Sequence, residues 1–176
     1  MNDYRNIREE VPLTDAVLTG KRILITGTTG FVGKVVLEKL MRERPDIGSI
    51  VLLIRGNRKH RDARTRFYQE IATSSIFHRL RQHDEAGFVR FCEAKLQFVT
   101  GEITEPRLGL GGDEFTALGR ALDLIVNCAA SVNFREALDQ AISINTNSLL
   151  DIIELSRLAG RCPVIQVSTC YVHGYH

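Results

Sequence analysis

The chain has 176 residues, a formal net charge of +2 and four cysteines. A chain of this length buries roughly two thirds of its unfolded surface, enough for one core and too little for two full enzyme domains. Acidic and basic residues are interspersed apart from a basic cluster at Arg55–Arg66, so we expect no nucleic-acid partner. No apolar run reaches the length of a bilayer and Met1–Glu10 is polar, so we expect no stable membrane insertion and a cytoplasmic location.

The cysteines have neither Cys-x-x-Cys spacing nor a histidine at zinc-site spacing. We therefore expect no metal site and no disulfide framework. Reduced, small, buried side chains are the simplest interpretation of Cys92, Cys128, Cys162 and Cys170.

A glycine-spaced turn is the most informative feature of the sequence. The apolar run Lys21–Thr26 predicts a buried strand, and it leads directly into Gly27, Gly30 and Gly33 at the start of a helical pattern. Such a turn brings free backbone N–H groups and a positive helix end up to a phosphate, whereas an ordinary strand-turn-helix with flexible glycines is the alternative. The cofactor-binding residues predicted here are Gly27, Thr28, Thr29, Gly30, Phe31, Val32 and Gly33.

The remaining pattern alternates strands and helices. Further strands are predicted at 50–54, 96–99, 122–126 and 164–167, with helices at 62–72, from 76 onward and across 134–158. Ser74 or Ser75 is expected to cap the helix that starts near 76, and the segment from Pro106 to Gly112 is expected to be an irregular loop. On the apolar side of the long pattern lie Phe134, Leu138, Ile142, Leu149, Ile152, Ile153, Leu155 and Leu158.

This alternation predicts an α/β fold, a Rossmann-type doubly wound parallel sheet. Residues 1–20 are interpreted as an N-terminal extension and residues 21–176 as the domain that contains the sheet. Ligands bind beyond the carboxyl ends of the strands in such sheets, so the strand exits are where function is sought.

Basic residues follow the second strand, where an NAD-binding fold places an acid against the ribose hydroxyls. Arg55 and, less favoured, Arg58 are predicted to pair with the 2′-phosphate of NADP(H) through charge-assisted hydrogen bonds. The alternative is a solvated basic loop.

Several segments together resemble extended short-chain dehydrogenases/reductases, and more narrowly the reductase domain of fatty acyl-CoA reductases. The segments are Thr-Gly-Thr-Thr-Gly-Phe-Val-Gly at 26–33, Leu-Leu-Ile-Arg at 52–55, Gly-Glu-Ile-Thr-Glu-Pro-Arg-Leu-Gly-Leu at 101–110, Asn-Cys-Ala-Ala-Ser-Val-Asn-Phe at 127–134, Ile-Asn-Thr-Asn at 144–147 and Val-Ser-Thr-Cys-Tyr-Val at 167–172. The resemblance implies reduction of a fatty acyl-CoA thioester with NADPH, and it allows a homodimer paired through helices that flank the sheet.

The resemblance also implies site residues. Glu102 and Ile103 correspond to the adenine site, with a glutamate where the family usually has aspartate. Asn145 corresponds to the family's mid-helix asparagine, although a polar break satisfied by neighbouring backbone is an equal alternative. The further cofactor contacts predicted after the fourth strand are Cys128, Ala129 and Ala130.

Thr169, with Ser168 as its rival, is the predicted catalytic residue, because it ends the fifth strand where the resemblance places an active-site Ser/Thr. The alternative is a strand-end hydroxyl bonded to its own backbone. Cys128 and Cys170 lie nearby, but without an evident base a thioester nucleophile is disfavoured.

The resemblance calls for a Tyr-x-x-x-Lys pair, and none of the four tyrosines has a lysine four positions later. It also calls for further strands and a substrate-binding region, so we interpret residues 21–176 as the N-terminal part of an NADP-binding domain, with the sheet truncated after the fifth strand. We therefore expect these 176 residues alone to bind NADPH without turning over acyl-CoA. The alternatives are a carrier-protein thioester reductase, a sugar-nucleotide-modifying extended reductase and a non-catalytic NADP-binding module.

Overall fold

A parallel sheet organises the molecule. The computed structural model describes residues 17–169 and contains a five-stranded sheet in the order β3-β2-β1-β4-β5, in which every pair is parallel. Its register places Leu24 opposite Val51 on one side and Ile125 on the other. The strands are β1 (Arg22–Thr26), β2 (Ser49–Ile54), β3 (Leu96–Thr100), β4 (Leu124–Asn127) and β5 (Val164–Gln166).

Helices cover both faces of this sheet, because the central strands are apolar on both sides. Ile23 and Ile25 pack into one core with α1 and α4, whereas Leu24 packs into the other with α5 and α7. The helices are α1 (Phe31–Glu43), α2 (Ala63–Arg66), α3 (His78–His83), α4 (Glu85–Lys95), α5 (Gly112–Arg120), α6 (Leu138–Ile142) and α7 (Ser148–Leu158), and π-helical turns at Phe67–Ile71 and Ser143–Asn147 extend α2 and join α6 to α7.

The predicted fold class is confirmed by this arrangement of parallel strands and flanking helices. Two helices are absent from the sequence prediction. One is α4, which begins behind Asp84, whose side chain accepts from Gly87 N at 2.7 Å. The other is α5, which begins at Gly112 directly behind a short 3-10 turn at Pro106–Gly109, so the predicted irregular loop is wrong in its last residues.

Two predicted details differ from the structure. The fourth strand begins two residues later than predicted, because Leu122 belongs to the turn after α5, where its N–H donates to Gly119 O at 3.2 Å. Ser74 occupies the position before the 3-10 turn at Ser75–Phe77 but makes no side-chain capping bond. A side-chain cap is present instead at the start of α2, where Asp62 accepts from Thr65 N at 2.8 Å.

The long helix begins at Leu138 rather than near Phe134. Asn133 makes a turn of its own here, because its side chain accepts from Arg135 N at 3.1 Å and its carbonyl accepts from Glu136 N at 3.1 Å. Phe134 is consequently 91% exposed instead of packing on an apolar helix face.

Of the predicted N-terminal extension, residues 17–20 are described. Thr19 forms an isolated antiparallel bridge with Ile47, and Gly20 N donates to Asp46 O at 3.0 Å. Between residues 17 and 169, no helix combines the length and the apolar character needed to cross a bilayer.

Candidate cofactor-binding site

The carboxyl ends of β1 to β4 surround a cavity of about 470 Å³. The position agrees with the rule that ligands of parallel sheets bind beyond these strand ends. The cavity is lined by Thr26, Gly27, Thr29, Gly30, Leu53, Ile54, Arg55, Arg66, Gly101, Glu102, Ile103, Cys128, Ala129, Ala130, Ser131, Glu136, Gln140 and Ile144.

The glycine turn is built for close backbone approach. Gly27 has φ +71°, and a Cβ atom there would lie 2.5 Å from the backbone nitrogen of Ala129. A Cβ on Gly33 would lie 2.7 Å from the carbonyl carbon of Gly27. Only glycine therefore lets the turn pack against both the β4 exit and the first turn of α1.

The first turn of α1 offers N–H groups beside the cavity. Its first backbone bond runs from Lys34 N to Gly30 O at 3.3 Å, so the N–H groups of residues 31–33 precede the helical ladder. A Cβ on Gly30 would approach only Gly27 O, at 3.3 Å, which leaves its outer side open to a ligand. With the positive end of the helix dipole added, this turn fits a diphosphate.

The other predicted residues of this turn do not line the cavity. Thr28 is 1% exposed, and its hydroxyl is buried without a hydrogen-bond partner in the described part of the chain. Phe31 and Val32 are 73% and 44% exposed. Their contribution to anion binding is accordingly expected from backbone N–H groups rather than from side chains.

A charged cluster lies at the exits of β2 and β3. Arg55 Nη1 donates to Glu102 Oε2 at 3.1 Å, and Arg66 Nη1 donates to the carbonyl oxygen of Arg55 at 2.6 Å. Arg66 is also bonded to Glu70, through Nε and Oε2 at 3.0 Å. Two guanidinium groups thus border the cavity, those of Arg55, which was predicted, and Arg66, which was not.

Arg58 is exposed and does not line the cavity. It lies on a turn that Asn57 closes, because Asn57 Oδ1 accepts from Lys59 N at 2.9 Å and from His60 N at 2.7 Å. Of the two arginines predicted to contact the 2′-phosphate, Arg55 is the one that the fold brings to the cavity.

Polar side chains join the exits of β1, β4 and β5. Thr26 Oγ1 donates to Asn127 Oδ1 and accepts from Ala129 N at 3.3 Å. Asn127 Nδ2 in turn donates to Gln166 Oε1 at 2.7 Å. This network fixes the backbone of Ala129 beside the glycine turn.

Asn145 holds the loop after β4 against the long helix. Its side chain accepts from Ser131 N at 2.8 Å and donates to Ser131 O at 3.1 Å. Both functional groups of the amide are therefore engaged with backbone, and Asn145 itself does not line the cavity.

Ser168 and Thr169 are exposed. Because β5 ends at Gln166, they lie two and three residues beyond it, and Thr169 does not end the strand as predicted. Val167 N donates to Asn127 O at 2.9 Å, which places the β5 exit beside the β4 exit. Neither hydroxyl residue lines the cavity, and Cys170 lies outside the described residues.

The male sterility protein family matches residues 25–176, a range that starts in β1 and includes the glycine turn. The chain belongs to this family. The family assignment agrees with the extended short-chain dehydrogenase/reductase architecture of the sheet.

Fatty acyl-CoA reductases are among the similar proteins. The chain is 36% identical over 158 residues to fatty acyl-CoA reductase 2, chloroplastic, of Arabidopsis thaliana, covering 89% of this chain and 26% of that protein. It is 36% identical over 155 residues to fatty acyl-CoA reductase 1 of Mus musculus, covering 88% of this chain and 29% of that protein. This member of the male sterility family thus spans less than a third of those two relatives.

A solved reductase structure shares the architecture. The terminal R domain from the myxalamid PKS-NRPS biosynthetic pathway superposes with a TM-score of 0.69 at 29% identity, covering 86% of this chain and 35% of that domain. The family match and the reductase relatives assign a nicotinamide dinucleotide to the domain. The open glycine turn and the N–H groups of α1 fit its diphosphate.

Cys128 lines the cavity as a neutral thiol. Burial raises its pKa, and a raised pKa disfavours the thiolate that nucleophilic attack requires. Among residues 17–169, no cluster of histidine, cysteine and acidic side chains is arranged to hold a metal ion.

Nine of the lining residues were not among the predicted site residues: Thr26, Leu53, Ile54, Arg66, Gly101, Ser131, Glu136, Gln140 and Ile144. Glu136 lies in the bend before α6, so no helical spacing indicates it. The four-residue spacing of Gln140 and Ile144 was a usable signal. Arg66 gave a weaker one, because its approach to Arg55 depends on how α2 packs on the sheet.

Proposed function

We propose that the protein reduces a fatty acyl-CoA thioester with NADPH and that residues 17–169 supply the cofactor site. The observation that carries the proposal is the cavity at the strand exits, which brings the open glycine turn of β1 and the guanidinium group of Arg55 together. The fatty acyl-CoA reductases among the relatives support the substrate class.

The charge at the β2 exit supports NADP(H) over NAD(H). An acid at this place would accept from ribose hydroxyls, and Arg55 stands there instead, with 68% of its side chain exposed. A guanidinium group binds a phosphate through charge-assisted and bidentate hydrogen bonds. Arg66 adds a second cation to the same border of the cavity.

The chain's own residues then hold the dinucleotide and orient the carbonyl. When bound, NADPH would supply a hydride to the carbonyl carbon of the thioester, and cleavage of the C–S bond would release the CoA thiol and leave the aldehyde. The N–H groups of α1 hold the diphosphate, and the exit of β4 supports the ribose through the backbone of Ala129 and Ala130. The hydroxyl of Thr169, or of Ser168, donates a hydrogen bond to the carbonyl oxygen as negative charge develops on it.

The test follows NADPH oxidation by absorbance in the full-length protein with palmitoyl-CoA. We expect acyl-CoA-dependent oxidation and a fall of about 10²-fold or more in Thr169→Val, as is typical for a lost oxyanion donor. Ser168→Ala is the matched variant and should retain activity if Thr169 is the donor. NADPH binding without any acyl-CoA-dependent oxidation would refute the activity and leave a binding module.

A carrier-bound thioester is the second candidate substrate, and the likeness to a terminal R domain of a biosynthetic pathway favours it. The same acyl group is offered on CoA and on a phosphopantetheinylated carrier protein. A clear preference for the carrier in kcat/KM would replace acyl-CoA as the proposed substrate.

A further inference from the structure

Glu136 carries a carboxylate oxygen that lacks a partner. Its Oε2 atom is buried and accepts no hydrogen bond from the described part of the chain, and the residue lines the cavity. Buried polar atoms are nearly always hydrogen-bonded, because leaving one unsatisfied is costly. A donor on a bound molecule is the partner that such an oxygen lacks.

Glu136 lines the cavity together with two residues that follow it in the chain. Glu136 lies in the bend before α6, Gln140 lies in α6, and Ile144 lies in the π-helical turn that joins α6 to α7. In α7, Asp151 Oδ2 accepts from Leu108 N at 3.4 Å. Leu108 lies in the 3-10 turn at Pro106–Gly109, so this contact joins α7 to the loop that follows the β3 exit.

Both carboxylate oxygens of Glu102 already accept hydrogen bonds. Its Oε2 is bonded to Arg55 at 3.1 Å, and its Oε1 accepts from Thr104 N at 3.4 Å. Glu136 Oε2, in contrast, accepts none from the described residues. Of these two acids on the cavity wall, Glu136 therefore has more to gain from the exocyclic amino group of adenine.

The chemistry of Glu136 restricts what it can accept from. A carboxylate repels the phosphates of the dinucleotide and requires a neutral donor. With the adenosine ribose at Arg55, the base reaches the space between the β3 exit and the 136–144 segment. Ile103 and Ile144 present branched apolar side chains there, which suit the faces of a flat purine.

We propose that Glu136 Oε2 accepts a hydrogen bond from the 6-amino group of adenine, whose ring lies between Ile103 and Ile144. The inference rests on the proposed function, because it assumes that the dinucleotide occupies this cavity. Glu136 is thereby a specificity-determining residue that distinguishes adenine from a 6-oxopurine.

The experiment combines a variant with a nucleotide analogue. NADPH and its deamino analogue, in which hypoxanthine replaces adenine, are titrated into wild type, Glu136→Gln and Asp139→Asn by calorimetry. Asp139→Asn is the matched control, because it removes an exposed carboxylate three residues further along the chain, in α6, that does not line the cavity. The readout is the ratio of the two dissociation constants within each protein.

We expect wild type and Asp139→Asn to bind NADPH about tenfold more tightly than the deamino analogue. In Glu136→Gln the ratio should approach one, because the amide donates to the 6-oxo group as readily as it accepts from the 6-amino group. An unchanged ratio in Glu136→Gln, even with weaker binding of both nucleotides, overturns the inference and leaves a ribose hydroxyl as the partner. Failure of wild type to bind either nucleotide would instead overturn the proposed function, and the inference with it.

Discussion

Arg55 and Glu102 form an ion pair across the exits of β2 and β3, with Nη1 and Oε2 3.1 Å apart. The arginine side chain is 68% exposed and the glutamate side chain 25% exposed, so solvent weakens their attraction. A guanidinium group has five N–H donors, so Arg55 can bind a phosphate through other N–H groups while Nη1 stays bonded to Glu102. The pair therefore keeps Arg55 at the cavity while leaving it available to a 2′-phosphate.

Replacing Arg55 should separate the two nicotinamide cofactors. We expect Arg55→Ala to weaken NADPH binding at least about tenfold while barely changing NADH, because the lost charge-assisted hydrogen bonds serve the 2′-phosphate alone. Calorimetry with both cofactors measures this. Arg58→Ala is the control on the neighbouring turn, and an equal loss of both cofactors in Arg55→Ala would reject the assigned role.

Neutralising Glu102 should act in the opposite direction. In Glu102→Gln the carboxylate that competes with the 2′-phosphate is gone, so NADPH should bind about threefold to tenfold more tightly, with a smaller gain at high salt. Binding is measured at two ionic strengths. Weaker NADPH binding in this variant would mean that Glu102 is needed to hold Arg55 in place.

Local sequence patterns predicted the fold because each strand of the sheet is an apolar run bounded by turn residues. The same reasoning missed α5, because its first residue is a glycine beside Gly111, and consecutive glycines usually indicate a loop. The helix forms nonetheless because Phe115 and Leu118 pack into the core beneath α7. Tertiary packing, rather than local helix propensity, therefore accounts for the formation of α5.

The candidate site was predictable from the sequence only where its residues lie next to a predicted strand in the chain. The glycine turn and Arg55 were recognisable because they directly follow strands. Arg66 reaches the cavity through the packing of α2, and Glu136 reaches it through the turn that Asn133 forms before α6. Local sequence spacing indicates neither approach. The engagement of Glu102 by Arg55 likewise depends on β2 and β3 being neighbours in the sheet.

Gly33 is expected to be intolerant of a side chain. A Cβ there would lie 2.7 Å from the carbonyl carbon of Gly27 and 2.8 Å from Thr28 Cα, so backbone must shift. Gly33→Ala should lower the free energy of unfolding by about 1–3 kcal/mol and weaken NADPH binding. Gly112→Ala is the control, since a Cβ there meets nothing within 4 Å; denaturant unfolding that shows equal stability for both variants would contradict the packing argument.

The thiols should differ in reactivity by their surroundings. Burial raises the pKa of Cys92 to about 12 and also raises the pKa of Cys128. At pH 8 we expect N-ethylmaleimide to leave Cys92 unmodified and to label Cys128 slowly. Because Cys128 lines the cavity, bound NADPH should slow the labelling of this residue further. Site-resolved mass spectrometry reads both residues, and rapid labelling of native Cys92 would contradict its buried position.

Asp123 should make stability depend on pH. Its pKa is lowered, first by the backbone N–H of Arg22, which donates to Oδ2 at 2.8 Å, and then by Lys21 Nζ, which donates to Oδ1 at 3.0 Å. A depressed folded-state pKa stabilises the fold above the unfolded value of about 3.9, and the contribution is lost as pH falls through the folded value. Because the side chain is 39% exposed, the effect is discounted for solvent screening.

We therefore expect Asp123→Asn to cost about 0.5–1 kcal/mol of unfolding free energy at pH 7 and progressively less below pH ~4. Lys21→Met should cost less than Asp123→Asn at pH 7, because it removes the ammonium group but leaves the backbone N–H of Arg22 bonded to the carboxylate. Denaturant titrations between pH 7 and pH 3 measure both. A difference between wild type and Asp123→Asn that stays constant over this range would show that lost packing, rather than the carboxylate charge, accounts for it.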